Sequence, residues 1–297
     1  MDERIPEYLR ARLDAVYGEK AQDIEAGFRA NRPVTLRVNR LAATTEEVLQ
    51  ALSEEGVRAE RVDWYEDALV LPEISEAQVE KLPVYSSGKI YLQSLSSMIP
   101  PLLLEAKAGE SILDMAAAPG GKTTQIASLT GDMAYLTACE RDGIRLERLK
   151  YNLKSQHVKS VTVMKTDARQ LDDFFRFDRI LLDAPCTGSG TIDLREGAAP
   201  RRMTADWVKK TVKTQKALMD KAVKLLKSGG TLVYSTCSIL PEENEEVVAH
   251  AVSRGLTVQP ISKKWTAHFP CLAENAGTCT LCPDACFEGF FISVLRK

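Results

Sequence analysis

Beyond about residue 110, apolar residues fall into short runs, SILDM, AYLTA, SVTVM, DRILLD, TLVYS and a closing GFFISVL. Longer stretches separate them, in which apolar positions recur every three or four residues. The runs predict buried strands and the longer stretches predict helices: one from Gly121, one through Lys154, a long one over 206 to 227 and one after Pro241. Strand and helix in strict alternation specify an α/β fold with a mostly parallel, doubly wound sheet. The first hundred residues read differently. TLRVN alternates as a strand, TTEEVLQALSEEGV starts with Thr44 as a helix cap and keeps helical periodicity to Gly56, and short strands are expected around Trp64 and Leu69. The prolines and glycines of PVYSSGKIYLQSLSSMIPPLLLEAKAGE then punctuate a crossing. The chain of 297 residues is therefore expected to hold a small N-terminal α/β unit, 1–105, and a larger unit, 106–297.

In a doubly wound sheet ligands sit beyond the C-terminal strand ends, so the residues after each apolar run carry the chemistry. After SILDM come Ala116, Ala117, Ala118, Pro119, Gly120, Gly121 and Lys122, small residues that let backbone N–H groups reach a ligand at a helix start. A tight turn is the plain interpretation. A phosphate-binding P-loop needs glycine five positions before Gly121, where Ala116 stands, so nucleotide hydrolysis is disfavoured. A Rossmann-like cofactor loop predicts a carboxylate about 20 residues on, and Glu140 stands there. Asp167 follows the third strand and Asp183 ends the fourth. One strand-end acid is ordinarily a solvated cap; three in this register favour an adenosyl ligand.

Cys186, in DAPCTGSG, and Cys237, in LVYSTCSILPEEN, also lie just past strands. A lone cysteine is usually a small buried hydrophobe, but these two occupy the positions where an open sheet presents reactive groups. Peptidase chemistry would want a histidine partner, and neither His157, His250 nor His268 ends a strand. The seven cysteines are an odd set with five in the last third, which argues against a secreted disulfide framework. Four of them, Cys271, Cys279, Cys282 and Cys286, are spaced C-x7-C-x2-C-x3-C. Such a cluster can hold zinc or an iron cluster, but only one C-x2-C knuckle is present, so no metal is expected and a reduced loop is the plainer reading.

Charge adds a direction rather than a class. The net charge is −2, residues 44 to 80 are acidic, and nine Lys and Arg between Arg201 and Lys227 face only Asp206 and Asp220. The helix there is expected to bury a stripe of Trp207, Thr211, Leu218, Ala222 and Leu225 and to solvate its lysines, leaving Arg201 and Arg202 as the candidates for phosphate contact. No apolar run approaches the ~18 residues of a membrane span. The N-terminus lacks the apolar core of a signal peptide, so a cytoplasmic location is expected.

Two thiols and a carboxylic acid suit one reaction in particular. Carbon-5 of cytosine is a poor nucleophile until a thiolate adds to C6, a second basic group must remove the C5 proton before release, and an acid near N3 stabilises the charge that collects there. The segments TLRVNRL, YLQSLSSM, LDMAAAPGGKTTQIA, ILLDAPCTGSGTI, LVYSTCSILPEENEEVV and EGFFISVL, in this order, resemble the Nol1/Nop2/Sun-type (RsmB/NOP) RNA cytosine-5 methyltransferases. Among these they look most like the bacterial 16S rRNA enzymes. The resemblance implies a Rossmann-like class I methyltransferase fold, an RNA-recognition-motif-like N-terminal domain, S-adenosylmethionine as cofactor and RNA as partner, with no obligate protein partner evident. It implies further that Ala116 to Lys122 cradle the cofactor, Glu140 holds its ribose, Asp167 lies by the adenine and Asp183 lies between its methionine part and the base. Cys237 would be the nucleophile, Cys186 the release cysteine, and Lys122 would order the site. The segment DLREGAAPRRM departs from the acidic-proline and tryptophan pattern of many relatives, and the cysteine-rich tail is not required by the family. Ribosomal RNA is favoured over transfer RNA. A catalytically idle RNA-binding or ribosome-assembly factor is the alternative, and no further C-terminal RNA-binding domain is expected.

Overall fold

The structure is a computed structural model and describes residues 2–195, 202–275 and 277–297. Contacts group the chain into two compact units, one of residues 33–181 and one in which the N-terminal segment up to Arg32 joins residues 182–297. The boundary expected near residue 105 follows the change of sequence pattern; the contact grouping follows packing.

Two helices open the chain, α1 (Glu7–Tyr17) and α2 (Ala21–Arg29). Their apolar faces, Leu9, Leu13, Ile24 and Phe28, are buried with Ile192, Leu194, Ile239 and Leu240, residues far along the sequence.

The 33–181 unit begins with β1 (Val34–Val38), α3 (Thr45–Glu54), β2 (Glu60–Val62), β3 (Tyr65–Leu71), the short turns α4 (Glu76–Val79) and α5 (Pro83–Ser86), β4 (Ile90–Leu92) and α6 (Leu95–Leu103). The strands form an antiparallel sheet in the order β2-β3-β1-β4, with Leu36 opposite both Leu69 and Leu92. The predicted cap is present: the Thr44 hydroxyl accepts from the Glu47 N–H at 3.3 Å and the Glu47 carboxylate accepts from the Thr44 N–H at 2.8 Å. Val48 and Leu52 of α3 then pack on Leu36, Val38, Leu69 and Ile90.

After α6 the alternation predicted from sequence follows: β5 (Ser111–Asp114), α7 (Gly121–Leu129), β6 (Tyr135–Glu140), α8 (Gly143–Ser155), β7 (Val161–Lys165) and β8 (Phe177–Asp183). The four strands run parallel in the order β8-β5-β6-β7, with Leu113 level with Thr137 and Ile180. Ile112, Leu113, Leu136, Ala138, Ile180 and Leu181 are buried, which explains why these strands read as unbroken apolar runs.

The last two residues of β8 belong to the other unit, which continues with α9 (Ala205–Leu225), β9 (Leu226–Thr236), α10 (Glu245–Ser253), β10 (Thr257–Gln259), the short turn α11 (Lys263–Thr266), β11 (Cys271–Asn275), β12 (Thr278–Leu281) and β13 (Phe290–Arg296). Here the pairing is antiparallel in the order β11-β12-β13-β9, with β10 also on β13.

The stripe expected on α9 needs correction at its start. Trp207 is 42% exposed and Thr211 is half-buried, whereas Val208, Gln215, Leu218, Met219, Ala222 and Leu225 are buried. One residue of offset turns a side chain about 100° around the helix, and Val208 is the one that reaches the apolar cluster. Of the two arginines before this helix, Arg202 is exposed and Arg201 lies outside the described residues. Among the described residues no helix is long and apolar enough to cross a membrane.

Candidate active site

The glycine loop is shaped by side chains beneath and beside it. Asp114, the last residue of β5, is buried and accepts the Thr123 hydroxyl at 2.7 Å and the Ala116 N–H at 3.4 Å, tying the strand end to the first turn of α7. The Ala118–Pro119 peptide is cis, and Gly120 caps α7 at φ +112°, a left-handed conformation that glycine adopts without strain. A Cβ on Gly121 would lie 3.0 Å from a ring carbon of Tyr91, tighter than ordinary van der Waals contact, so a side chain there requires the ring to give by a few tenths of an ångström. From α8, Arg145 donates to the Ala118 carbonyl at 2.7 Å and Asn152 to the Pro119 carbonyl at 2.8 Å. The fully buried Arg37 of β1 donates to the Thr124 hydroxyl at 3.0 Å and to Gln93 at 3.3 Å. Lys122, half-buried, is the second residue of α7. The loop is thus held open at a helix N-terminus, whose amide groups attract an anionic end of a ligand.

Two of the three predicted acids stand at or just past the ends of the next two strands, β6 and β7, on one side of this loop. Glu140 ends β6, is 4% exposed, and accepts the Asp142 N–H at 2.8 Å, with Arg145 at 3.7 Å. A carboxylate has about four lone-pair sites, so Glu140 retains capacity for a pair of ligand hydroxyls. Asp167 stands two residues past β7, with both carboxylate oxygens engaged by Arg169 at 2.9 and 2.6 Å. That pairing, opposed by partial burial, holds its carboxyl below the usual range. The residues present fit an adenosyl-type cofactor: a backbone cradle for a charged end and a strand-end acid for vicinal hydroxyls. Cys139, next to Glu140, is buried and its thiol is pushed up to about 12, as in an inert core cysteine.

The second group of predicted residues gathers around β9. Asp183 ends β8 and accepts the Ser235 hydroxyl at 2.7 Å. Cys186 lies on the loop after β8 and Cys237 directly follows β9; their sulfurs are 3.0 Å apart. The hydrogen bond with Cys237, reinforced by burial, holds the Cys186 thiol well above the ordinary thiol value. Backbone bonds lace the loops together: Gly190 N–H donates to the Cys237 carbonyl at 3.0 Å, Gly289 N–H to the Gly190 carbonyl at 2.9 Å, and Ile239 N–H to the Ser189 hydroxyl oxygen at 2.9 Å. From α1, the Tyr17 hydroxyl donates to the Ile239 carbonyl at 2.6 Å, while Arg12 pairs with Glu242 at 2.7 Å.

A Cβ on Gly190 would overlap the Gly289 carbonyl, so the two segments approach backbone to backbone. Gly190→Ala is therefore expected to lower stability by about 3 kcal/mol through overpacking, seen as a fall in Tm. An unchanged Tm would show that the loops part without cost.

Sequence reasoning missed Asp114, although it ends the first strand and the same strand-end rule points to it. It also missed Glu243 and the residues of α1, for which no local signal exists. His157 and His250 are engaged with the Ser87 carbonyl and Asp220 at 2.9 and 2.8 Å. The tail departs from the expected set of reduced thiols. Cys271 and Cys279 form a disulfide, because the irregular β11–β12 pairing brings their Cα atoms to 6.2 Å. Cys282 and Cys286 are free thiols, that of Cys282 pushed up to about 11 by burial. Among the described residues no group of three or more His, Cys, Asp or Glu is placed to hold a metal ion.

Known proteins resemble this chain over most of its length. Residues 101–296 match the 16S rRNA methyltransferase RsmB/F family, and residues 5–78 match the ferredoxin-like domain of RsmF/B-like methyltransferases. The chain is 34% identical over 274 residues to ribosomal RNA small subunit methyltransferase F of Shewanella woodyi, covering 89% of this chain and 57% of that protein. It is 37% identical over 252 residues to ribosomal RNA small subunit methyltransferase B of Pectobacterium carotovorum, covering 84% and 58%. The chain thus spans under two thirds of the length of these curated relatives. Among solved structures, a methyltransferase homologue from Pyrococcus horikoshii matches at 34% identity and TM-score 0.84, covering 98% of this chain and 94% of that one. NSun6 from Pyrococcus horikoshii, solved with SFG, matches at 26% identity and TM-score 0.88 over 99% of each chain. With the family match covering most of the chain, the protein belongs to the RsmB/F family of S-adenosylmethionine-dependent 16S rRNA methyltransferases.

Proposed function

We propose that this protein transfers a methyl group from S-adenosylmethionine to C5 of a cytosine in ribosomal RNA of the small subunit, in the cytoplasm, through a covalent bond between Cys237 and C6. The observation that carries the reading is the pair of sulfurs 3.0 Å apart on two strand-end loops, with Asp183 on the first of those strands. Bound to the glycine loop, S-adenosylmethionine supplies the electrophilic methyl group. The backbone of Ala116 to Lys122 receives its methionine end, Glu140 accepts from the ribose hydroxyls, and Asp167, paired with Arg169, borders the adenine. Lys122 orders the site. Asp183 shares a proton with N3 of the base, which draws electron density from C6. Cys237 gives up its proton to solvent and its sulfur adds to C6, placing the electron pair on C5, which takes the methyl group and leaves S-adenosylhomocysteine. Cys186, as the thiolate left after its own proton passes to solvent, then accepts the C5 proton directly or through water; the C5–C6 double bond re-forms, Asp183 regains its proton from N3 and the Cys237 thiolate leaves.

Glu140→Ala is expected to weaken cofactor binding about tenfold or more, since a charged hydrogen-bond acceptor for the ribose is lost. Calorimetric titration with S-adenosylmethionine checks this, and unchanged affinity would remove Glu140 from the site. The reaction itself is tested by labelled methyl transfer to unmodified ribosomal and transfer RNA, each digested to nucleosides. Label in 5-methylcytidine from small-subunit RNA is the expected result. Label from transfer RNA alone would move the substrate, and no label in either with cofactor bound would return the reading to an assembly factor.

A further inference from the structure

We infer that Glu243 is the positioning residue of the cysteine site, a single carboxylate that fastens both cysteine loops and so sets the distance between their sulfurs. This rests on the two-cysteine reading above. Glu243 is 0% exposed, six residues after Cys237 in the turn leading to α10. One oxygen accepts from the Thr187 N–H at 2.9 Å and from Gln215 Nε2 at 3.3 Å. The other accepts from the Thr187 hydroxyl at 2.6 Å and from the Ser238 hydroxyl at 2.5 Å. Thr187 is the residue after Cys186 and Ser238 is the residue after Cys237, so each loop is held one residue beyond its sulfur. Gln215, from α9, also donates to the Pro185 carbonyl at 3.1 Å, on the other side of Cys186.

The chemistry of the donors explains why the residue is an acid. The partners are an amide N–H, two hydroxyls and a side-chain amide NH₂, each donating a proton, and only a carboxylate accepts from all four at once. Burial raises the Glu243 carboxyl above its ordinary value, and the hydrogen bonds from these donors pull against that rise. Replacing the acid by its neutral isostere puts an NH₂ donor where one oxygen accepts from two donors, so at least one of those bonds must break or reverse its direction, and the clamp loosens. Glu243 bonds the residues beside the sulfurs, which makes its role positional.

The test reads sulfur spacing without activity. Phenylarsine oxide binds two close thiols, releasing water and forming two As–S bonds with no change in oxidation state, and peptide mapping identifies the bridged pair. In the full chain, Cys186 and Cys237 are expected to bridge rapidly. In Glu243→Gln the bridging rate should fall about tenfold or more, while alkylation of either cysteine singly by iodoacetamide persists. In the same variant kcat should fall with the KM for S-adenosylmethionine unchanged, since the cofactor-loop residues are not its partners. Should Glu243→Gln fail to fold, Thr187→Val and Ser238→Ala release one loop at a time with the charge retained, and each should slow bridging. Bridging at the parental rate in every folded variant would overturn the inference. Slowed bridging in a chain whose parent methylates no RNA would keep Glu243 as the clamp and remove the functional reading instead.

Discussion

Cys237→Ala is expected to abolish methyl transfer, by at least about 10⁴-fold, a loss typical when a covalent nucleophile is removed. Without sulfur adding at C6, C5 of cytosine carries no electron pair able to take a methyl group, and none of the other proposed residues replaces that step. The protein is expected to stay folded. The residue contributes its carbonyl, not its sulfur, to the bond from Gly190, and alanine keeps that carbonyl. Cofactor affinity should be unchanged, because the residues proposed to hold S-adenosylmethionine lie on the loop after β5 and at the ends of β6 and β7. Single-turnover methylation with a parallel calorimetric titration separates the two effects. Turnover within tenfold of the parent would show that Cys237 is not the nucleophile.

Cys186→Ala should have the opposite signature, an RNA adduct that survives denaturation. In the free protein the Cys186 thiol is held well above its ordinary value by its bond to Cys237 and by burial. It therefore keeps its proton and is poorly suited to attack, whereas once Cys237 has entered the adduct that bond is gone, and Cys186 can pass its proton to solvent and take the C5 proton as a thiolate. With alanine there, addition and methyl transfer proceed but elimination stalls. The adduct should accumulate toward one per enzyme on incubation with RNA and S-adenosylmethionine, visible as a shifted band after denaturation. It should vanish in Cys186→Ala/Cys237→Ala. A Cys186→Ala protein that turns over freely and leaves no adduct would place the release function elsewhere.

The course of the chain after residue 110 was legible because apolar periodicity is local. The runs of β5, β6 and β8 are buried within the parallel part of the sheet and those of β9 and β13 within an antiparallel pair, so their own composition declares them, and the strand-end rule then isolates Glu140, Asp167, Asp183, Cys186 and Cys237 without any knowledge of packing. The same rule points to Asp114. The β10 to β12 region was not legible, since three short antiparallel strands in a cysteine-rich segment carry neither a long run nor a sustained alternation. Trp207 was misplaced for a related reason: near a helix start, one residue of uncertainty is a 100° error in facing, and only the cluster with Val208 decides it.

What the sequence determined by itself is the order of the main strands and helices from β5 to β9 and the residue types at each strand end, both consequences of spacing along the chain, and the family resemblance that its motifs carry. Tertiary structure alone decided which of those residues meet. Cys186 and Cys237 are 51 residues apart, Glu243 reaches back 56 residues to Thr187, and Tyr17 bonds Ile239 across 222. Such contacts leave no periodic trace. They depend on donors and acceptors from distant segments being buried together, where an unpaired polar group costs about 1–3 kcal/mol. That penalty acts only once the chain has folded, which is why the clamp on the two sulfurs can be seen in the fold and not in the string of residues that makes it.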